Sequence, residues 1–309
     1  MKTCFGLAAG LFAAIALAGC NADPEPPAIP FAKTTDDTLK DPDNGIRTFR
    51  IDFARLEREV PLSRADLAKI TPQNLAKLSQ EQVDQIYGRL TAGPIPNGPY
   101  QGDLFFAVGD SLETRLGEVL GGVRGRIASA KINAIEHVGR QLWKGKMFYR
   151  NELVLRNLID NLDPLKPLID DIGRVRTTTI KRQGFLGSIL PNNTVWLLFP
   201  AKLYCGQSLV DSRRESVIID YSYGDEIDGY RASPDSLAGR GGLRIRDEIR
   251  MVRPGFYIGR AYANRLFLLN FTLYNADVAD AGATDFNSGK PIAEDCWTGE
   301  QARSETASR

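Results

Sequence analysis

The sequence predicts a mixed α+β protein: an N-terminal helical segment, then an antiparallel β-barrel-like domain that carries one long helix. Three observations predict it. Between Asp52 and Leu90 the apolar residues recur at three- and four-residue steps, the period of a helix with one buried face. Between Leu112 and Leu142 a second stripe of that period runs through Leu116, Val119, Leu120, Val123, Ile127, Ile132, Ile135 and Val138. From Trp143 onward, short runs rich in Val, Ile, Phe and Tyr follow one another with turn residues between them and no helical pattern. Strands in direct succession make antiparallel sheets, sandwiches or barrels.

The first element is a leader. Lys2 supplies a positive start, and Phe5 to Leu17 is an apolar run broken only by glycine, too short to span a bilayer. Leu17-Ala18-Gly19-Cys20 then places small residues before a cysteine. This resembles the bacterial lipobox. The resemblance implies removal of residues 1–19, acylation of Cys20 and a lipid anchor in the cell envelope. Asn21 is not the aspartate associated with inner-membrane retention, so the expected location in a Gram-negative source is the outer membrane, facing the periplasm. The chain carries 39 basic and 38 acidic side chains, and the leader takes away only Lys2. A balanced chain has no bulk attraction for nucleic acid or anionic lipid.

Residues 20–45 are rich in Pro, Asp and Thr with few large apolar side chains, and read as a disordered tether. Residues 46–92 read as a helical collar that packs on the main domain, with an apolar face of Leu56, Val60, Leu62, Leu67, Ile70, Leu75, Leu78, Val83 and Ile86. Ser63 and Thr71-Pro72 are helix starts, and Ser79 with Gln82 makes a capping box. The breaker cluster Gly93 to Pro99 opens the domain of residues 93–300. Strands are expected at Asp103–Val108, Lys146–Tyr149, Val175–Lys181, Thr194–Tyr204, Glu215–Tyr221, Leu243–Val252, Phe256–Tyr262 and Arg265–Tyr274. Arg253-Pro254-Gly255 and Ala263-Asn264 are tight turns. The tail beyond Asn275 reads as irregular. Cys205 and Cys296 remain after processing, and two cysteines in an exported chain are expected to form one disulfide that pins this tail.

Gly109-Asp110-Ser111-Leu112, between a strand and a helix, resembles the nucleophile block of GDSL-type esterases, which would make Ser111 a nucleophile. A serine needs a base, and His137 is the one histidine, without an aspartate at the spacing of that family. Asp110 and Ser111 therefore read as a helix start, and catalysis is disfavoured. The acidic turn Asp225 to Asp228 lacks ligand spacing and reads as solvated; Gly239 to Gly242 reads as a loop. No metal site and no cofactor is expected. In Arg246-Asp247-Glu248-Ile249-Arg250, alternation puts Asp247 on one face with Ile245 and Ile249, and Arg246, Glu248 and Arg250 on the other. A carboxylate among apolar neighbours must be paired or face a wet cavity.

Three blocks occur in order: Trp143-Lys144-Gly145-Lys146-Met147-Phe148, then Glu215 to Ser222, then Arg246 to Arg250 with Pro254 to Gly259. Together they resemble a group of uncharacterised bacterial proteins with WKGK-F, IVLDYS and RDEIR-V-PGLYLG blocks. The resemblance spans roughly residues 94–274 and implies a lipocalin-like, or calycin-like, barrel. The stretches between Phe148 and Val195 and between Tyr221 and Arg246 are long by that pattern and read as lids or rim loops. A barrel of about eight strands can hold one small ligand. The expected function is binding of a small amphipathic or lipid-like molecule, with Asp247, Arg250, Tyr257 and Trp196 as candidate pocket residues. A serine esterase at Ser111 and an envelope scaffold are the alternatives.

Overall fold

A computed structural model describes residues 24–33, 39–40, 47–48, 51–110, 142–169, 171–180 and 193–296. The leader, Cys20, Ser111, His137 and almost all of the expected long helix lie outside these residues.

The collar is four short helices: α1 Phe53–Glu59, α2 Arg64–Lys69, α3 Pro72–Leu75 and α4 Gln80–Gly88. Their starts are where the sequence puts them. Ser63, Thr71 and Ser79 each accept from the backbone N–H three residues on, and each has a reciprocal capping box. The apolar face is Ile70, Leu75, Leu78, Val83, Ile86 and Leu90, packed on Phe105, Val252, Phe256 and Ile258 of the barrel wall. Part of the expected tether departs from disorder. Residues 27–33 lie along the collar, with Ile29 and Phe31 packed on its apolar face. Gln85 binds both the N–H and the C=O of Ala32, at 2.9 and 3.3 Å, and Arg89 donates to Pro30 O at 3.0 Å. Composition hides this because Pro24, Pro26, Pro27 and Pro30 stiffen the segment. A stiff segment loses less entropy on docking, so two apolar anchors can hold it.

Among the described residues nine strands follow: β1 Gly98–Phe105, β2 Trp143–Tyr149, β3 Val154–Ile159, β4 Thr177–Ile180, β5 Asn193–Gln207, β6 Glu215–Asp220, β7 Ile245–Arg253, β8 Phe256–Ala263 and β9 Leu266–Tyr274. Eight of them close an antiparallel barrel in the order β3-β2-β1-β9-β8-β7-β6-β5, with β5 returning to β3. β4 pairs only with the start of β5, outside the ring.

Three elements differ from the sequence reading. The first strand begins at Gly98, and after Phe105 the chain leaves the sheet, where Val108 N–H binds Leu78 O of the collar at 2.8 Å. β3 was not expected, since Arg156 and Asn157 interrupt its apolar run. The tail beyond Asn275 is not irregular: α5 spans Ala276–Asn287, capped by the Asn275 side chain on Val278 N–H. Its alanines are strong helix formers. The β8–β9 turn also sits one residue later than expected, at Asn264-Arg265.

The strands run between a loop end, where β2, β5 and β7 begin, and a closed end. At the closed end Ala92, Ile95, Ile292 and Cys296 join the interior core. Cys205 and Cys296 are disulfide-bonded, with Cα atoms 5.1 Å apart, and pin the tail as expected.

Candidate functional site

The site begins with a bulge. Strict alternation would put Trp143 and Lys146 on opposite faces of β2. The pairing of β2 with β3 slips between Trp143 and Gly145, and one extra residue turns both side chains inward. Gly145 sits at φ +130, and a Cβ there would lie 1.9 Å from Tyr100 O, so only glycine fits. The Trp143 ring lies over the bare Cα of Gly102 on β1, where a Cβ would meet it at 2.2 Å.

Lys146 is thereby held inside the barrel, 2 % exposed. Its ammonium donates to Tyr221 Oη at 2.6 Å, Asp247 Oδ2 at 2.9 Å and Asn157 Oδ1 at 3.0 Å. Its three N–H bonds are all used. The rings of Trp143, Tyr221 and Phe271 lie 5.3–5.4 Å from the nitrogen. Asn157 Oδ1 also accepts from Trp143 Nε1 at 2.8 Å. Asn157 Nδ2 donates to Tyr221 Oη at 3.0 Å and to Phe199 O at 3.1 Å. Phe199 can offer that carbonyl because it bends β5 at φ 51, with its N–H bound by Asp235 at 2.7 Å. Lys146, Tyr221 and Asp247 come one each from the three blocks quoted from the sequence.

Beside this network, toward the loop end, Leu104, Trp143, Phe199, Ile245 and Leu269 pack against the core yet are only half-buried. An apolar wall that is partly open therefore borders a neutral Lys–Asp pair.

Burial pulls the Lys146 ammonium down, but attraction to Asp247 and Tyr221 and its hydrogen bonds outweigh this, and its pKa is raised. Burial, partly offset by Lys146, pushes the Tyr221 phenol up to about 12. Both shifts have the same consequence. A raised lysine contributes stability that is lost as pH climbs through its folded pKa. A raised tyrosine stays neutral in the fold while the unfolded chain ionises from about pH 10. The urea midpoint should therefore be level across neutral pH and fall above about pH 10. A midpoint that rose there would contradict the network.

The four residues expected to share a pocket are not brought together. Asp247 faces the interior, as its strand alternation requires. Tyr257 faces the interior nearer the closed end, where its hydroxyl donates to Pro94 O at 2.7 Å. Arg250 is on the outer face, completely buried under the collar. It donates to Ser216 Oγ, Tyr87 O and Arg214 O at 2.8–3.0 Å, and so locks α4 to the wall. Trp196 is half-buried in a neighbouring cluster with Leu162, Ile169 and Val175, which shares Trp143 and Phe199 with the site. Two cavities, of about 460 and 230 Å³, lie at the closed end. The larger is lined by Glu57, Gln207, Arg213, Arg214, Glu294 and Cys296; the smaller takes in Tyr257, and neither reaches Asp247. Among the described residues no cluster of His, Cys, Asp and Glu is placed to hold a metal ion.

Sequence reasoning missed Lys146, Asn157 and Tyr221. The available signal was Gly145 inside a strand, which marks a bulge and therefore a change of face.

No family model matches the chain, and no curated protein matches it. A crystal structure of a protein from Thermomonospora curvata is similar at 14% identity with a TM-score of 0.34, covering 64% of this chain and 88% of that one.

Proposed function

We propose that the barrel binds one small amphipathic molecule at its loop end, and that the protein works while anchored in the cell envelope through a lipid on Cys20. The observation that carries the binding reading is the pairing of a half-open apolar wall with a buried polar network inside a closed eight-stranded barrel. Ligand sites are typically apolar with a few fixed polar groups. The wall of Leu104, Trp143, Phe199, Ile245 and Leu269 would take the apolar body, and the network would take the head. The anchor rests on the lipobox resemblance, and places the barrel where amphiphiles are abundant.

Native mass spectrometry of protein extracted from membranes, together with uptake of a fluorescent amphiphile, tests both parts. The expected result is one amphiphile per chain, released by organic extraction, with diacylglyceryl mass on Cys20. Failure to take up any amphiphile would end the binding reading. Equal fatty-acid labelling of a Cys20→Ala variant would end the anchoring one.

A further inference from the structure

We infer that the bound molecule presents a hydrogen-bond-donating head, an alcohol or an amine, to Asp247, and that carboxylate-headed amphiphiles are discriminated against. The inference rests on the binding reading above and follows from counting donors and acceptors. Lys146 has no N–H left. Tyr221 Oη accepts from Lys146 and from Asn157 Nδ2, and its own proton faces Asp247 Oδ2 and Asn157 Oδ1, each at 3.3 Å. Asn157 spends both ends of its amide, on Lys146 and Trp143 through Oδ1 and on Phe199 O and Tyr221 through Nδ2. The Trp143 indole N–H is taken by Asn157.

Asp247 differs. Its two hydrogen bonds both fall on Oδ2, and Oδ1 has no partner among the described residues. The spare capacity of the network is thus one carboxylate oxygen, an acceptor, in a side chain only 6 % exposed. Its charge is already matched by Lys146, so the site offers no net attraction for an anion. A carboxylate head would meet an acceptor with no donor beside it, and would be desolvated without recompense. A hydroxyl or ammonium head would complete the carboxylate's hydrogen bonding. The apolar wall fixes the rest: a body of aliphatic chain or ring laid against Trp143, Phe199 and Leu269.

Displacement of N-phenyl-1-naphthylamine from the purified protein by decan-1-ol, decylamine and decanoate tests this. The alcohol or the amine should displace the probe at about tenfold lower concentration than decanoate, or better, the ratio one hydrogen bond to a charged group supplies. Decanoate displacing as well as or better than both would overturn the inference and leave the binding reading standing. A probe that never binds would overturn that reading itself. Asp247→Asn can keep an oxygen toward Lys146 while offering an N–H to the head, so it should shrink or reverse the ranking. If that variant does not fold, Lys146→Met with Asp247→Leu removes the pair together, and the ranking should vanish. A ranking unchanged in a folded variant would place the head elsewhere.

Discussion

Replacing Lys146 by methionine should cost about 3–5 kcal/mol of folding stability, the range for breaking a buried pair at one partner. The methionine fills the stem of the lysine but leaves Asp247 charged inside the barrel with only the Tyr221 hydroxyl to face it. It also removes a donor from Asn157 Oδ1 and from Tyr221. Asp247→Leu added to Lys146→Met removes the stranded charge. Replacing both members of a buried pair by apolar groups is often neutral or better. The double variant should therefore recover most of the loss, within about 1.5 kcal/mol of the parent. Urea midpoints at unchanged slope measure both. A single variant that loses under about 1 kcal/mol would show that the pair is hydrated, not buried.

Removing the Cys205–Cys296 bond should cost about 4–5 kcal/mol in the chain-entropy account, because the bond closes a separation of 91 residues. The loss should be felt first at the closed end. Cys296 is a core residue there, the partly buried Ile292 packs against that core, and Asp295 accepts from Ile95 N–H at 2.9 Å and pairs with Arg150. A tail free to leave would take that packing with it. Double substitution to serine, or reduction of the native protein, should lower the melting temperature and open the C-terminal segment to protease before the barrel is cut. Two titratable thiols in the unreduced, denatured protein would refute the bond.

The fold was legible where information is local. Helix caps at Ser63, Thr71 and Ser79 are written in three-residue spacings. A stretch of regular alternation, such as Ile245 to Met251 of β7, can be read directly, and so can Asp247, an acid between Ile245 and Ile249. β3 was illegible because Arg156 and Asn157 look solvent-bound until distant partners appear. Arg156 donates to Asp228 O, 72 residues away, and Asn157 meets Tyr221, 64 residues away. Lys146 was hidden for a different reason. A lysine in a half-buried strand reads as outward, and only the slip at Gly145 turns it in. The site is thus assembled from one legible acid and three residues whose roles exist only after the barrel closes.

In the anchored form proposed above, the docked segment would also set how far the barrel can stand from a bilayer. A free 25-residue leash could be drawn out to about 85–90 Å. In that form, Cys20 is seven residues from Pro27, the first buried residue of the docked segment. Seven residues reach at most about 25 Å when fully drawn out. The mooring is under a third of the full tether, so the collar side would stay near the headgroups. Large soluble partners would find that side shielded and would have to approach from elsewhere. The helical collar would then act as the foot on which the barrel stands.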